Sequence, residues 1–506
     1  MQEDSLIKPC SPVTFFVMYG SLFLAIFNYT LSIIASIYIV GDLGGGSSTI
    51  TYNISFFALG NAIGIPLGAY FLSKYGIRRP LLLCTIIFVF FAWTSAVSVT
   101  YIEFLASRFF QGLLCGPYYA FLLSLQNLIV PQQYKKLVPP LNACIFIITP
   151  TLGACWGGWI SYEWNWRILY HIDTLFGIIF ALLQYIYIKG FDAPFIKKNV
   201  NFDCIGYLSL VCGLLALGTV VIRGQELDWF RSDLITWLFV AGSFSLIFFI
   251  IWELNTEQPL LNLRLLSNPV LVFCLFHLAV LFALYFGNII LLSLWLKFWA
   301  NYTAWWINLL LINTAISALL IVILRAQFAA IDCRIFWATA IIFLAISCYY
   351  TTYFNIQTDF ERVAISRLLA GFGLAFFLPP IFRTIYNLYP AYFIDLVALL
   401  QMTRALGSGL GAALFTTLWD RRQVFFNERL VSRLTPLSPI TEEYLTQANI
   451  RGLHGETAIA QLNYFSLREA SSLALDDSFY LMFWILTGLL LSFAFTYFIP
   501  KRTFNP

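Results

Sequence analysis

Long apolar runs and short polar breaks alternate along almost the whole chain. About fourteen runs reach the roughly 20 residues that a helix needs to cross the hydrocarbon core. They fall near 14–40, 51–72, 80–99, 103–130, 137–161, 168–189, 203–222, 234–252, 270–297, 303–324, 334–352, 363–386, 393–418 and 478–499. The pattern predicts an all-α polytopic membrane protein, because a helix satisfies its own backbone in lipid. One polar stretch is long. Residues 419–477 mix charges of both signs and read as an external, solvated connector of short amphipathic helices, with a turn at LTPLSPI (434–440). An even number of spans puts both termini on one side.

Composition agrees. Of 506 residues, 60% are hydrophobic and 11% charged, where a soluble domain is about half apolar and a quarter charged. The 15 Trp and 27 Tyr suit belts at the two membrane surfaces. Alternate connections carry the basic residues: Lys74, Arg78 and Arg79; Lys135 and Lys136; Lys189, Lys197 and Lys198; Arg264, Arg325, Arg334 and Arg383; then Lys501 and Arg502. The positive-inside rule makes that side cytoplasmic, with both termini, in a multi-pass protein of the cell inner membrane. The net charge of +4 is read by position and does not call for nucleic acid. The 10 Cys are scattered without metal-type spacing, so neither a disulfide framework, a metal site nor a cofactor is expected. No nucleophile–base pair or phosphate loop suggests an enzyme.

Charge inside the spans carries the candidate chemistry. Arg108 and Gln111 interrupt the apolar run FLASRFFQGLLCGPYYAFL (104–122), and Arg404 sits near the middle of the thirteenth span. A guanidinium there costs a few kcal/mol unless it faces a polar interior. Asp173 in the sixth span and His277 in the ninth are further candidates. Each has a structural alternative: Asp173 reaching the outer interface, and His277 as a neutral ring bonded to a neighbour. Glu103 stands five residues before Arg108, a poor helical pairing distance. The short loop with Ser73, Lys74, Gly76, Arg78 and Arg79 is either a clamp between helices or a topology signal. In the fifth span Pro150 can kink the helix, and Gly153, Gly157 and Gly158 permit close helix approach. Gly407 and Gly411 form a second such face.

Together these segments resemble the major facilitator superfamily, and within it the fourteen-helix drug:proton antiporter branch of Emr-type multidrug exporters. The resemblance rests on GDLG (41–44), GNAIGIPL (60–67), RFFQG (108–112), GGWI (157–160) with WR (166–167), RGQELDWF (223–230), ALYFG (283–287) and TRALGSGLGAAL (403–414). It implies the major facilitator fold: a six-helix bundle over 1–189, two additional helices over 190–268, and a second bundle over 269–506. It also implies alternating access around a central cavity, proton-coupled efflux of small organic solutes, and a periplasmic adaptor with an outer-membrane channel as partners. The branch usually carries an Asp two residues before a Thr in the first span. Here FNYT (27–30) has Asn28 before Thr30, and an amide does not titrate. Ser73 and Lys74 also depart from the usual loop, and Ala154 stands where a second Pro is expected. Asp173 occupies a position where relatives tend to have Asn.

With the usual carboxylate gone and both arginines kept, an uncompensated buried cation calls for an anion. The expectation is an anionic substrate, such as a carboxylate siderophore or an organic acid. Asp173 or His277 would then take over proton coupling. An importer or uniporter of one metabolite is the second transporter reading. A non-transporting scaffold has no use for buried charge.

Overall fold

A computed structural model describes residues 12–46, 49–130, 138–188, 201–324, 332–435 and 438–496. The basic residues Lys135, Lys136, Lys189, Lys197, Lys198, Arg325, Lys501 and Arg502 lie outside them. The described residues form fifteen α-helices: α1 (Pro12–Leu43), α2 (Tyr52–Tyr75), α3 (Arg78–Val97), α4 (Tyr101–Ile129), α5 (Val138–Glu163), α6 (Trp166–Tyr187), α7 (Cys204–Arg223), α8 (Asp233–Asn255), α9 (Pro269–Phe298), α10 (Ala304–Leu324), α11 (Cys333–Thr351), α12 (Phe360–Leu388), α13 (Phe393–Val431), α14 (Pro439–Ile450) and α15 (Glu456–Thr496). Thirteen are long and apolar enough to cross a membrane. α4, the helix that carries Arg108, is the fourteenth long one. The chain is therefore a multi-pass membrane protein.

Local signals set the helix starts. Thr100 and Glu103 make a reciprocal capping box on α4, which accounts for Glu103 without Arg108. Asn165 caps α6, Asp203 caps α7, and Asn268 caps α9 ahead of Pro269. Short connections then make successive helices antiparallel. Gly44 (φ 79°) and Gly76 (φ 73°) turn the chain in the left-handed region, which costs little without a Cβ. They name the two faces used below, the Gly44 end and the Gly76 end.

Helices α1–α6 pack on one another, as do α9–α13 with α15. The two sets meet along a seam, mainly α2 on α13 and α5 on α10, while α7 lies against both α2 and α13 and carries α8 on its other side. Glycines set the closest approaches. Side chains on Gly60 or Gly64 of α2 would strike α4 backbone, and on Gly112 or Gly116 of α4 would strike α2 backbone. Side chains on Gly153 or Gly157 would strike the Phe27 or Leu31 carbonyl of α1, and Gly407 and Gly411 press on Ala279 and Ala283 of α9. Gly158 instead faces Ile34 and Asn308 of α10.

The polar stretch 419–477 is not built of short helices alone, a correction to the sequence expectation: two membrane-length helices run on into it. α13 runs on to Val431, and α15 begins at Glu456. The turn expected around 434–440 does separate α13 from α14, which opens at Pro439. The two long helices extend because they keep each other company. Trp419 Nε1 donates to the Ser471 carbonyl at 3.1 Å, Arg422 pairs with Asp477, and Ala470 and Ala474 are fully buried. Arg422 and Arg429 also lie on the Phe425 ring, so polar residues cover apolar ones.

Candidate functional site

Two buried arginines lie in different surroundings. Arg108, on α4, is fully buried. Its Nη1 donates to Asn28 Oδ1 (2.6 Å) and Gln111 Oε1 (2.5 Å), and its Nη2 to the Asn28 carbonyl (2.9 Å). The Phe57 ring covers its face, with the centroid 4.5 Å away. The bond to Arg108 fixes the orientation of the Asn28 amide. Its Nδ2 therefore points the other way and donates to Asp173 Oδ2 at 2.5 Å. Gln111 carries the network on to Ser95 (3.2 Å), which meets Ser107 at 2.7 Å. One chain of bonds thus ties α6, α1, α4 and α3. Asp173 does not reach an interface. It is 2% exposed, and its Oδ1 has no hydrogen-bond partner among the described residues. The cation and the carboxylate sit on opposite sides of one amide.

Arg404, on α13, is 3% exposed and stands at the seam. Its Nε donates to Gln401 Oε1 at 2.7 Å. Three rings surround the guanidinium: Tyr119 of α4, Phe146 of α5 and Phe282 of α9, at 5.0, 5.3 and 5.8 Å. Aromatic faces attract a cation but leave its charge unneutralised, and no carboxylate pairs with it among the described residues.

His277 stands apart from both arginines. Its Nδ1 meets the Phe273 carbonyl and its Nε2 meets Ser492 Oγ, each at 2.9 Å. Phe273, Trp337 and Phe493 enclose the ring. In the basic loop, Ser73 bonds back to the Ala69 carbonyl (2.9 Å) and Lys74 to Tyr70 (2.8 Å). Arg78 donates to the Tyr185 carbonyl of α6 at 3.1 Å, and Arg79 is exposed. A cavity of about 130 Å³ separates Ser73 and Tyr70 from Asp203 and Asp395. At the Gly44 end the seam is shut, with Ser55 Oγ on the Gly409 carbonyl (2.9 Å) and Tyr29 on Ser408 (2.7 Å).

Sequence reasoning missed a third buried guanidinium. Arg367 of α12 is 1% exposed. It donates to Asn288 Oδ1 of α9 and, at 3.2 Å, to Ser366. The relation repeats that of Arg108 to Asn28, fourth helix to first within each set. The signal was present, since SRFFQG (107–112) and SRLLAG (366–371) share their Ser-Arg and Gly positions.

The description of the Major Facilitator Superfamily matches residues 17–331. The chain belongs to that superfamily. It is a secondary transporter that moves small organic solutes across a membrane, and it is not an enzyme. It is 26% identical over 445 residues to the fatty acid resistance protein FarB of Neisseria gonorrhoeae, covering 88% of this chain and 87% of that one. It is 27% identical over 491 residues to the multidrug export protein EmrB of Escherichia coli K12, covering 96% and 95%. Among solved structures, the human organic anion transporter MFSD10 superposes with a TM-score of 0.57 at 13% identity, over 95% of this chain and 100% of that one. The proton:xylose symporter XylE gives 0.53 at 14%, over 94% and 95%. Both carry the same fold as this carrier.

Proposed function

We propose that this carrier exports an anionic organic solute in exchange for protons, with Arg404 receiving the anion and Asp173 the proton. The carrying observation is the Arg404 cage, a cation drawn from both helix sets and held by rings without an acid. In this reading, residues 1–189 and 269–506 rock as two bundles about that point, and 190–268 supplies the two extra helices. Export is supported by relatives whose names are those of a resistance and an export protein. The Gly76 end and both termini are cytoplasmic in this reading. The α13–α15 extension then faces outward, where a periplasmic adaptor leading to an outer-membrane channel would dock. The loop of Ser73, Lys74, Gly76, Arg78 and Arg79 works as an inner clamp, and Pro150 with Gly153, Gly157 and Gly158 as a sliding face.

An uncoupled uniporter would rest on Asn28, which cannot titrate. Asp173 returns a carboxylate to the same network, which favours coupling.

Proteoliposomes with an imposed pH gradient test this, with citrate and taurocholate as anionic probes and ethidium as the cationic control. Arg404→Gln is expected to lower transport of the accepted anion about 30-fold or more, as for loss of about 2 kcal/mol of charge recognition. Asp173→Asn is expected to abolish acceleration by the gradient while leaving solute exchange at zero gradient. Ethidium transport with Arg404→Gln unaffected would sink the anion assignment.

A further inference from the structure

Tyr29 follows Asn28 on α1, and Arg108 holds it by two routes. The Asn28 carbonyl accepts from Arg108 Nη2 at 2.9 Å, and that carbonyl belongs to the planar peptide unit that carries Tyr29. The Phe57 ring covers the same guanidinium at 4.5 Å and packs on the Tyr29 ring, with centroids 5.3 Å apart. A displacement of Asn28 or Arg108 therefore moves Tyr29.

The other end of Tyr29 crosses the seam. Its ring meets Phe286 of α9, with centroids 5.3 Å apart. Its hydroxyl donates to Ser408 Oγ of α13 at 2.7 Å. Ser408 gives its own proton to the Ala405 carbonyl at 2.9 Å. A hydroxyl has one proton, so Ser408 accepts from Tyr29 and the bond has one direction. Ser408 lies four residues after Arg404, one helical turn along the same face of α13. Tyr29 is 4% exposed and Ser408 is fully buried, so water does not compete for the bond. One side chain thus stands between the acid network and the caged cation.

We propose that Tyr29 is the positioning residue that couples proton to solute, carrying the state of the Asp173–Asn28–Arg108 network across the seam to Arg404. This rests on the assignment of the proton to Asp173 and of the solute to Arg404. A proton on Asp173 weakens its hold on the Asn28 amide, and Arg108 and the peptide unit of Tyr29 shift in response. The Tyr29–Ser408 bond passes that shift to the turn of α13 that bears Arg404, and solute affinity falls. By linkage, bound solute weakens proton binding by the same factor. The ionisable groups facing Asp173 are Arg108 and Cys115 of α4 and Tyr170 of α6. Those facing Tyr29 are Arg404, Arg108 and Tyr119. Asp173 is the one carboxylate in either group. A bond that only closed the seam would act differently. Ser55 Oγ on the Gly409 carbonyl, at 2.9 Å, is such a bond, one position along α13 from Ser408.

The test measures the KM for taurocholate against pH, with the full-length carrier in proteoliposomes. The sulfonate of this probe stays ionised, so a change in KM reports the protein. In the unaltered carrier KM is expected to rise about fivefold or more as pH is lowered, the lower end of ordinary coupling between sites. Tyr29→Phe keeps the ring and removes the bond, and it is expected to flatten that profile and to abolish acceleration by a pH gradient. Ser408→Ala should do the same from the other helix, which keeps the test decisive if one variant fails to fold. The double variant should lose nothing beyond either single change, since both remove one bond. Ser55→Ala is expected to keep the full rise in KM, even where its melting temperature falls as far as that of Tyr29→Phe. A full pH profile in Tyr29→Phe or Ser408→Ala, or a flat one in Ser55→Ala, overturns the proposal. Asp173→Asn separates the two assignments. If it flattens the profile and Tyr29→Phe does not, the coupling role of Tyr29 alone falls. If Asp173→Asn keeps the profile, the proton assignment falls and takes this inference with it.

Discussion

At the scale of residues, the Asp173–Asn28–Arg108 chain has room for one carboxylate. Positions 28 and 173 meet at 2.5 Å, and two carboxylates at that distance cannot both ionise. One of the pair must be an amide that donates to the other, while whichever residue stands at 28 accepts from Arg108. An Asn at 28 with an Asp at 173 meets that need, and so does the reverse. Asp173→Asn alone removes the only acid that the network holds among the described residues. It is expected to destabilise the carrier by about 3 kcal/mol, the usual range for breaking buried charge compensation. The double variant Asn28→Asp with Asp173→Asn restores one acid beside Arg108. It is expected to recover both the melting temperature and gradient-driven transport, with a coupling energy of about 1 kcal/mol or more in a double-mutant cycle. A double variant no better than the worse single change would deny the exchange. Each of these residues stood out in the sequence, Arg108 as a charge in an apolar run, Asn28 and Asp173 as departures from the family pattern. Their contact did not, because 145 positions separate Asn28 from Asp173 and no local spacing predicts it. Arg367 shows the opposite failure. Its repeat signal was readable in the Ser-Arg and Gly positions shared by 107–112 and 366–371, yet Arg367 was not among the expected buried charges.

At the scale of elements, the fold was legible because lipid imposes one rule on every span. Apolar length alone located α1 to α13, with errors at the ends. The ends of α13 and α15 escaped because hydropathy reports where lipid stops and not where hydrogen-bonded pairing stops. Helix contacts were legible in part. The small residues at 153, 157, 407 and 411 did mark close approaches, yet the sequence did not say which helix each would touch. That difference can be measured. Gly157→Val drives a branched side chain into the Leu31 carbonyl and should cost about 1–3 kcal/mol, as other overpacked sites do. Gly488 of α15 has nothing within 4 Å of a would-be side chain, so Gly488→Ala should be neutral or stabilising by about 0.5 kcal/mol. Equal melting shifts for the two would mean that the α1–α5 contact does not limit packing.

At the scale of the whole molecule, the connection between α7 and α8 reaches both helix sets at the Gly44 end. Glu226 accepts from the Tyr52 hydroxyl of α2 at 3.2 Å, while Gln225 accepts from Arg421 Nε of α13 at 2.7 Å. Arg421 also lies over the Trp229 ring, 5.3 Å from its centroid. A loop bonded to both sides of a seam holds that seam shut. The two extra helices then have a task beyond filling space: they bias the carrier toward the state closed at this end. Each bond contributes about 0.5–1 kcal/mol, so removing both shifts the equilibrium by about 5- to 30-fold. Spin labels at Val99 and Val424, both well exposed at this end on different helix sets, report the gap. Gln225→Ala with Glu226→Ala is expected to raise the population of longer Val99–Val424 distances by that factor in electron–electron resonance. Binding of a transported solute at the opposite face should weaken in the same variant, since the state that offers that face becomes rarer. A distance distribution identical to that of the unaltered carrier would mean that the α2–α13 contacts close the seam unaided and the α7–α8 loop only rests on them.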